Sequence, residues 1–309
     1  MNSQTDMLFL HLMKTLLLFL FLAVGQFALA QDEPGYPDMR CWSIRNNDTS
    51  DRYIFADTAL IRISPDTRQP PADTLFAGDN ITVTGVAANA LTIRGLKGPW
   101  LKINYTKNGH AKTGYIWQGL VSCRELRRGD VKFVLGIERR ADSVIGSGKD
   151  KVIRQRFLVK LKVVQQGVVR AIAGFITDND ESANFCDGKV MSGMGLSNVQ
   201  HILDITFSGG ACGVPSYDYY FAFTKTGQLI RFPEKFNVGD AGVYYHEETF
   251  TFPNEKNGKP DSILWKMTEA EAAEETDKNG EPKYKVTASK SATYTWDGVN
   301  EKLSGQAGK

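Results

Sequence analysis

The sequence predicts an all-β protein, with a small barrel followed by a larger antiparallel β-sandwich or open barrel. Short runs that alternate apolar and polar residues recur along the chain, and glycine, proline, asparagine and aspartate separate them. The composition includes 29 Gly, 11 Tyr and 17 Phe, with Val and Thr throughout, which favours strands over helices. With 309 residues, 42% of them hydrophobic, the chain can bury one or two cores.

Residues 1–30 have the pattern of a secretory signal peptide. Lys14 precedes a short apolar run over 15–24, and small residues come before a polar stretch. An uncleaved anchor is the alternative, but the apolar run is too short to cross a bilayer comfortably, so cleavage after Ala30 is predicted. Residues 1–12 look like an extra translation start upstream of Met13. The protein is therefore predicted to be exported to the periplasm or the extracellular space, with no stable membrane span after cleavage.

A first module is predicted over residues 53–123, after an exposed leading segment over residues 31–52. Alternation predicts strands at 59–63, 81–84 and 98–103, each bounded by turn-forming residues. Strands this short, separated by such turns, predict a small antiparallel barrel.

The module carries a series of motifs in a fixed order. An Arg-containing strand precedes a proline loop, then come Leu-x-x-Gly-Asp, a Trp-x-Lys strand and a closing Gly-Tyr-Ile. The positions are Leu60, Arg62, Pro65, Leu75, Gly78, Asp79, Trp100, Lys102, Gly114, Tyr115 and Ile116. Their order and spacing resemble the bacterial SH3-type domain, over roughly a quarter of the chain. The resemblance implies a small barrel that binds peptidoglycan peptides or protein ligands.

Four aromatic residues of this module are candidate ligand contacts, because small barrels bind extended ligands on aromatic surfaces. They are Trp100, Tyr105, Tyr115 and Trp117. Trp100 and Tyr115 also match positions that the SH3-type family uses for its core. Trp117 and Tyr105 are predicted to be exposed, on the faces opposite the apolar alternation.

Residues 131–309 are predicted to form an antiparallel β domain, after a charged connector. Strict alternation predicts a hairpin that pairs residues 156–164 with 168–176. The acidic stretch at 269–275 is predicted to be a short surface helix or a loop. The strand spacing favours a sandwich, an open barrel or a partial propeller. Further strands are predicted at 132–138, 199–207, 217–224, 228–232, 242–252, 283–289 and 291–296.

Four cysteines in an exported chain predict two disulfides. Cys41 and Cys123 bracket the barrel, whereas Cys186 and Cys212 both lie in the second half. Three pairings are possible from the sequence. The predicted one stays within each module, joining Cys41 to Cys123 and Cys186 to Cys212.

A catalytic alternative uses Cys212 as a nucleophile and His201 or His246 as its base. SH3-type domains occur beside cell-wall cysteine peptidases, which is why this class is considered. A nucleophilic cysteine needs a depressed pKa, commonly at the start of a helix, and Cys212 lies between two predicted strands. A disulfide is therefore the preferred interpretation, and no catalytic residue is predicted.

No metal site and no cofactor are predicted. The acidic run at 178–181 has Ala183 and Lys189 where a calcium loop needs Gly and Glu. The histidines lack the spacing of zinc ligands, and no glycine-rich phosphate loop follows a strand. A net charge of +2 gives no support to a nucleic-acid partner.

These patterns predict a non-catalytic binding protein of the cell envelope. Its partner is predicted to be peptidoglycan or an envelope protein, contacted by the SH3-type module. An envelope cysteine hydrolase and a structural or assembly partner without a small ligand are the alternatives.

Overall fold

The computed structural model describes Trp42, Ile44 and residues 49–276, 278–280 and 282–305. The predicted signal peptide and Cys41 lie outside these residues. The described residues belong to one compact unit, and its regular structure is almost entirely strand, so the all-β prediction is confirmed. None of the helices in this part of the chain has the length and apolar character that crossing a bilayer requires.

Six strands form the first sheet, in the order β1-β4-β5-β6-β2-β3 with every pair antiparallel. The sheet curls into a barrel-like module that encloses Ile61, Val83, Leu101, Ile103 and Ile116, all of them inaccessible to solvent. The strands are β1 (Ser50–Tyr53), β2 (Thr58–Arg62), β3 (Pro71–Phe76), β4 (Asn80–Ile93), β5 (Leu96–Lys107) and β6 (His110–Trp117).

The Leu-x-x-Gly-Asp motif closes the turn between β3 and β4. Gly78 has a φ of +85°, a conformation that side chains disfavour and glycine adopts readily. The backbone N–H of Asp79 donates to the carbonyl of Phe76 at 2.9 Å, and the Asp79 carboxylate accepts from the Phe76 N–H at 2.8 Å. Gly and Asp at these positions therefore fix the path of the chain into β4.

A four-stranded antiparallel sheet follows, in the order β12-β11-β8-β7. Gln165 pairs with Val168 at the tip of the β11–β12 hairpin, so the hairpin predicted from alternation is confirmed. A separate two-stranded ribbon lies between β8 and β11 in the chain. These strands are β7 (Leu126–Arg128), β8 (Val131–Arg140), β9 (Ser143–Ile145), β10 (Val152–Arg154), β11 (Arg156–Gln165) and β12 (Val168–Asp178).

The remaining strands form a nine-stranded sheet in which β13, β14, β15, β17, β18, β19, β20 and β21 are consecutive neighbours and β16 pairs with β15. Short 3-10 turns occur at Gln118–Leu120, Gly148–Asp150 and Glu181–Ala183. The strands are β13 (Phe185–Ser192), β14 (Val199–Ser208), β15 (Ser216–Thr224), β16 (Leu229–Arg231), β17 (Lys235–Asp240), β18 (Tyr244–Thr251), β19 (Ser262–Thr276), β20 (Pro282–Asp297) and β21 (Lys302–Ser304).

The prediction of a helix or loop at 269–275 is wrong, because this stretch belongs to β19. Ala270 pairs with Tyr245 on one side and with Val286 on the other, and it is buried. Ladder hydrogen bonds to two neighbouring strands override the helix propensity of an Ala/Glu-rich sequence.

The four-stranded and nine-stranded sheets pack face to face as a sandwich. Phe133 and Leu161 of the smaller sheet share one core with Phe207 and Phe221 of the larger. Burying each such side chain stabilises the fold by about 1.5–3 kcal/mol. The same core includes Trp117 of the barrel-like module, so residues on both sides of the predicted domain boundary pack together.

The nine-stranded sheet curls over a second core, which makes it a half-barrel. Ile202 of β14 and Trp296 of β20 belong to this core although their strands lie towards opposite edges of the sheet. One face of β14 and β15 thus packs on the smaller sheet, and the other lines the inside of the half-barrel. We call the latter the inner face.

Candidate functional site

A groove of about 640 Å³ lies on the outer face of the barrel-like module. Its floor is a row of polar side chains across three strands, because Asp51 pairs with Thr82 and Thr82 with Asn104. The Thr82 hydroxyl donates to the Asp51 carboxylate at 2.7 Å. A floor of this kind offers donors and acceptors at the spacing of an extended strand.

The walls of the groove add an aromatic ring and charges of both signs. The Phe76 side chain is 52% exposed, and the Lys107 ammonium lies 5.4 Å from its ring centre while donating to the Thr74 carbonyl at 2.8 Å. Arg52 and Glu125 also line the groove. Such a surface can bind a peptide or a glycan through apolar groups that pack on the aromatic ring and through charged groups that pair with the walls.

Tyr105 is the predicted ligand-binding aromatic that contributes to this groove. Its hydroxyl donates to the Asp73 carboxylate at 3.2 Å, and Lys112 contacts the same carboxylate at 2.7 Å. Burial, followed by the charge of Asp73, raises the pKa of Tyr105 to about 12. The prediction that Tyr105 is exposed is wrong, since it is 6% exposed and its ring packs inside the barrel.

Trp117 is also predicted to be exposed, and this prediction is wrong. The ring is 4% exposed, packs edge-on against Trp42 and donates from Nε1 to the carbonyls of Leu91 and Gly98, each at 3.0 Å. The outer side of the barrel is covered here by the sandwich, so the strand has no solvent face at this point. Trp100 is buried in the same core, and Tyr115 packs against it half-buried.

The predicted Cys186–Cys212 disulfide is wrong: the two sulfurs are not bonded in the structure, and the loop that carries Cys212 lies on the other face of β13 from Cys186. Neighbouring strand residues point to opposite faces, and Phe185 is exposed where Cys186 is buried. Gly210, in the loop that carries Cys212, lies against the Phe185 ring. Cys212 is therefore on the wrong face of β13 to reach Cys186. Cys123 is also free and buried, and its predicted partner lies outside the described residues.

The structure does not bring Cys212 and His201 together. Cys212 follows the end of β14, and His201 lies seven residues before that end, roughly 23 Å along the strand. His201 is packed against Phe133, and burial lowers its pKa.

His246 lies on a strand closer to the Cys212 loop, because Gly213 donates to Gly239 of the adjacent β17. Its Nδ1 is 3.0 Å from Glu269 and its Nε2 is 3.2 Å from Glu248. Both ring nitrogens therefore lie within hydrogen-bond distance of a carboxylate rather than of the Cys212 thiol.

His246 belongs to a second polar region, on the inner face of the half-barrel. We define the inner-face cluster as Asp204, Asp218, Lys235, His246 and Glu248. The Lys235 ammonium lies 3.1 Å from the Asp218 carboxylate, and both side chains are 11% exposed. Glu248 accepts from the indole N–H of Trp265 at 3.1 Å. Asp218, Lys235, His246 and Glu248 thus each have a polar partner.

Asp204 is the member of the cluster with a perturbed pKa. Burial, then the negative charge of Asp218, raises the pKa of Asp204 from 3.8 to about 6, although Tyr220 and Lys235 oppose the shift. Its Oδ1 is buried without a hydrogen-bond partner among the described residues. The folded state thus binds this proton more tightly than the unfolded state does.

We expect Asp204→Asn to raise the free energy of unfolding by about 1–2 kcal/mol near pH 8 and to leave it nearly unchanged near pH 3. Above the folded pKa the ionised carboxyl costs stability, and below the unfolded pKa that cost is absent. Urea unfolding at both pH values measures the difference. Asp187→Asn, an exposed carboxyl on the adjacent β13, is the matched control. An effect of Asp204→Asn that is the same at both pH values would contradict the assignment.

Among the described residues, no group of three or more His, Cys, Asp or Glu side chains could hold a metal ion. The carboxylates of the acidic run at 178–181 have protein partners instead: Asp178 pairs with Arg156, and Asp180 accepts from the Ser182 N–H at 2.9 Å.

Comparisons with protein-family models, curated proteins and solved structures found no match to this chain. The chemistry of the candidate site therefore follows from its own residues.

Proposed function

We propose that this protein is a non-catalytic binding protein of the bacterial cell envelope, exported by residues 1–30 and holding a peptide of peptidoglycan or of an envelope protein. The observation that carries the proposal is the groove on the barrel-like module. It combines an exposed ring, Phe76, with a polar floor and charges of both signs. The motifs that resemble the SH3-type family support the same kind of ligand.

The volume and chemistry of the groove suit a short extended peptide. Pockets for small ligands commonly span about 300–1,000 Å³, and this groove is about 640 Å³. Asp51 and Glu125 can pair with a free amine, whereas Arg52 and Lys107 can pair with a free carboxylate. A peptidoglycan stem peptide presents both groups.

We expect Phe76→Ala to lower affinity for purified peptidoglycan about five- to tenfold, because it removes the exposed apolar surface of the groove. Co-sedimentation of the protein with insoluble peptidoglycan, over a range of protein concentrations, measures the effect. Ile172→Ala on β12 is the matched control, since Ile172 is 55% exposed and Phe76 is 52% exposed.

Three outcomes contradict parts of the proposal. Absence of wild-type retention at both low and moderate salt would remove peptidoglycan as the ligand. Equal losses in Phe76→Ala and Ile172→Ala would remove the groove as the binding surface. Release of new peptide or sugar fragments by the wild type would show turnover and contradict a non-catalytic role.

A further inference from the structure

The segment that leaves the barrel-like module runs alongside β13 with a constant offset. Arg128 donates from its guanidinium to the carbonyl of Val190, 62 positions later, at 3.3 Å. Leu126 packs on Gly188, also 62 positions later, so closely that a Cβ on Gly188 would lie 2.6 Å from the leucine Cδ1. Cys123 lies three residues before Leu126 and Cys186 lies two residues before Gly188, so both cysteines lie towards the same end of this contact.

Both sulfur-bearing side chains point into the same core. Cys123 is 7% exposed and Cys186 is 1% exposed, and both belong to the cluster that joins the barrel-like module to the sandwich. The N–H of Cys123 donates to the carbonyl of Leu135 at 2.8 Å, which holds its backbone in place. Burial raises the pKa of the Cys123 thiol, and the charge that Cys186 would carry raises it further. This effect on the pKa is consistent with the shared core position of the two thiols.

We infer that Cys123 and Cys186, whose thiols are unbonded in the structure, become the partners of a disulfide on oxidation, which then joins the end of the barrel-like module to β13. Two thiols lose two protons and two electrons when the S–S bond forms. The electrons reduce the disulfide of a small-molecule or protein thiol–disulfide oxidant to two thiols, through a mixed disulfide. That the bond forms in the cell rests on the export proposed above, whereas refolding in vitro depends on geometry alone.

The timing of oxidation follows from burial. A buried thiol with a raised pKa is a poor nucleophile, so the folded reduced protein should resist oxidation. The bond is expected to form while the chain folds, before the core closes over both sulfurs. Cys212 is exposed and on the opposite face of β13, so it keeps a free thiol.

Trypsin makes the test direct, because cleavage after Lys and Arg places each cysteine on its own peptide. The peptides are residues 41–45, 113–124, 171–189 and 190–225. The full chain is reduced in denaturant, refolded with oxidised glutathione, alkylated, digested without reductant and analysed by mass spectrometry. We expect 113–124 linked to 171–189, with 190–225 alkylated. A bridge from 41–45 to 113–124, or alkylation of both 113–124 and 171–189, overturns the inference.

Stability measurements give a second readout that does not depend on peptide recovery. Reductant is expected to lower the Tm of the refolded wild type and of Cys212→Ala, because both retain the bond. The double variant Cys123→Ala/Cys186→Ala, if folded, should have a Tm that reductant does not change. A Tm of the wild type that is equally insensitive to reductant contradicts the bond. Failure of this test leaves peptidoglycan binding intact, so the two proposals fail separately.

Discussion

Lys235→Met is expected to lower the free energy of unfolding by about 3 kcal/mol. Methionine keeps most of the volume of the side chain but removes the charge that pairs with Asp218 at 3.1 Å. The carboxylate would then remain buried next to Asp204, with hydrogen bonds from Thr206 at 2.6 Å and Asn237 at 3.3 Å as its other partners. Removing one member of a buried pair costs more than the pair contributes, because the other charge is left uncompensated.

Urea unfolding near neutral pH measures this effect, and two further variants isolate its cause. Lys266→Met, an exposed lysine on β19, should change stability by less than about 0.5 kcal/mol. Adding Asp218→Asn to Lys235→Met should recover part of the loss, because it removes the uncompensated charge. Asp218→Asn is also measured alone. If the losses of stability in Lys235→Met and Asp218→Asn simply add in the double variant, the ion pair is not their common cause.

The inner-face cluster is the part of the structure that sequence analysis missed. Asp204 lies between Leu203 and Ile205, and Asp218 lies between Tyr217 and Tyr219, and a charge between such neighbours was the available signal. A charge within such a strand implies a buried partner, since an unpaired buried charge is too costly. The sequence could not identify Lys235 as that partner, because the contact depends on the pairing of β15 with β17.

Alternation predicts local strand structure well and predicts burial poorly. The β11–β12 hairpin is correct because both strands alternate and a short turn joins them. The prediction that Trp117 is exposed is wrong because the sandwich covers the face of the strand that alternation assigns to solvent. The same limit applies to Cys186, whose face is decided by its position in β13 rather than by its distance in sequence from Cys212. Tertiary packing, which a single sequence does not encode locally, decides these cases.

The attachment of the barrel-like module to the sandwich can be tested at a glycine. Gly136 of β8 lies directly under the ring of Phe55, and a Cβ at this position would be 2.4 Å from the Phe55 Cγ. The ring cannot move away easily, because it is 4% exposed and the Lys162 ammonium lies 4.9 Å from its centre. The same ammonium donates to the Phe55 carbonyl at 2.7 Å and to Asp57 at 2.8 Å.

Gly136→Ala is therefore expected to lower the free energy of unfolding by about 2–3 kcal/mol through overpacking. Chemical unfolding measures it, with Gly174→Ala as the control. Gly174 is also a strand glycine of the four-stranded sheet, but its added Cβ would meet nothing closer than 3.5 Å. Because Phe55→Ala opens the space that the new methyl needs, Gly136→Ala should cost much less in that background. An equal cost in both backgrounds would show that Phe55 does not hold the barrel-like module against β8 in the way the contact implies.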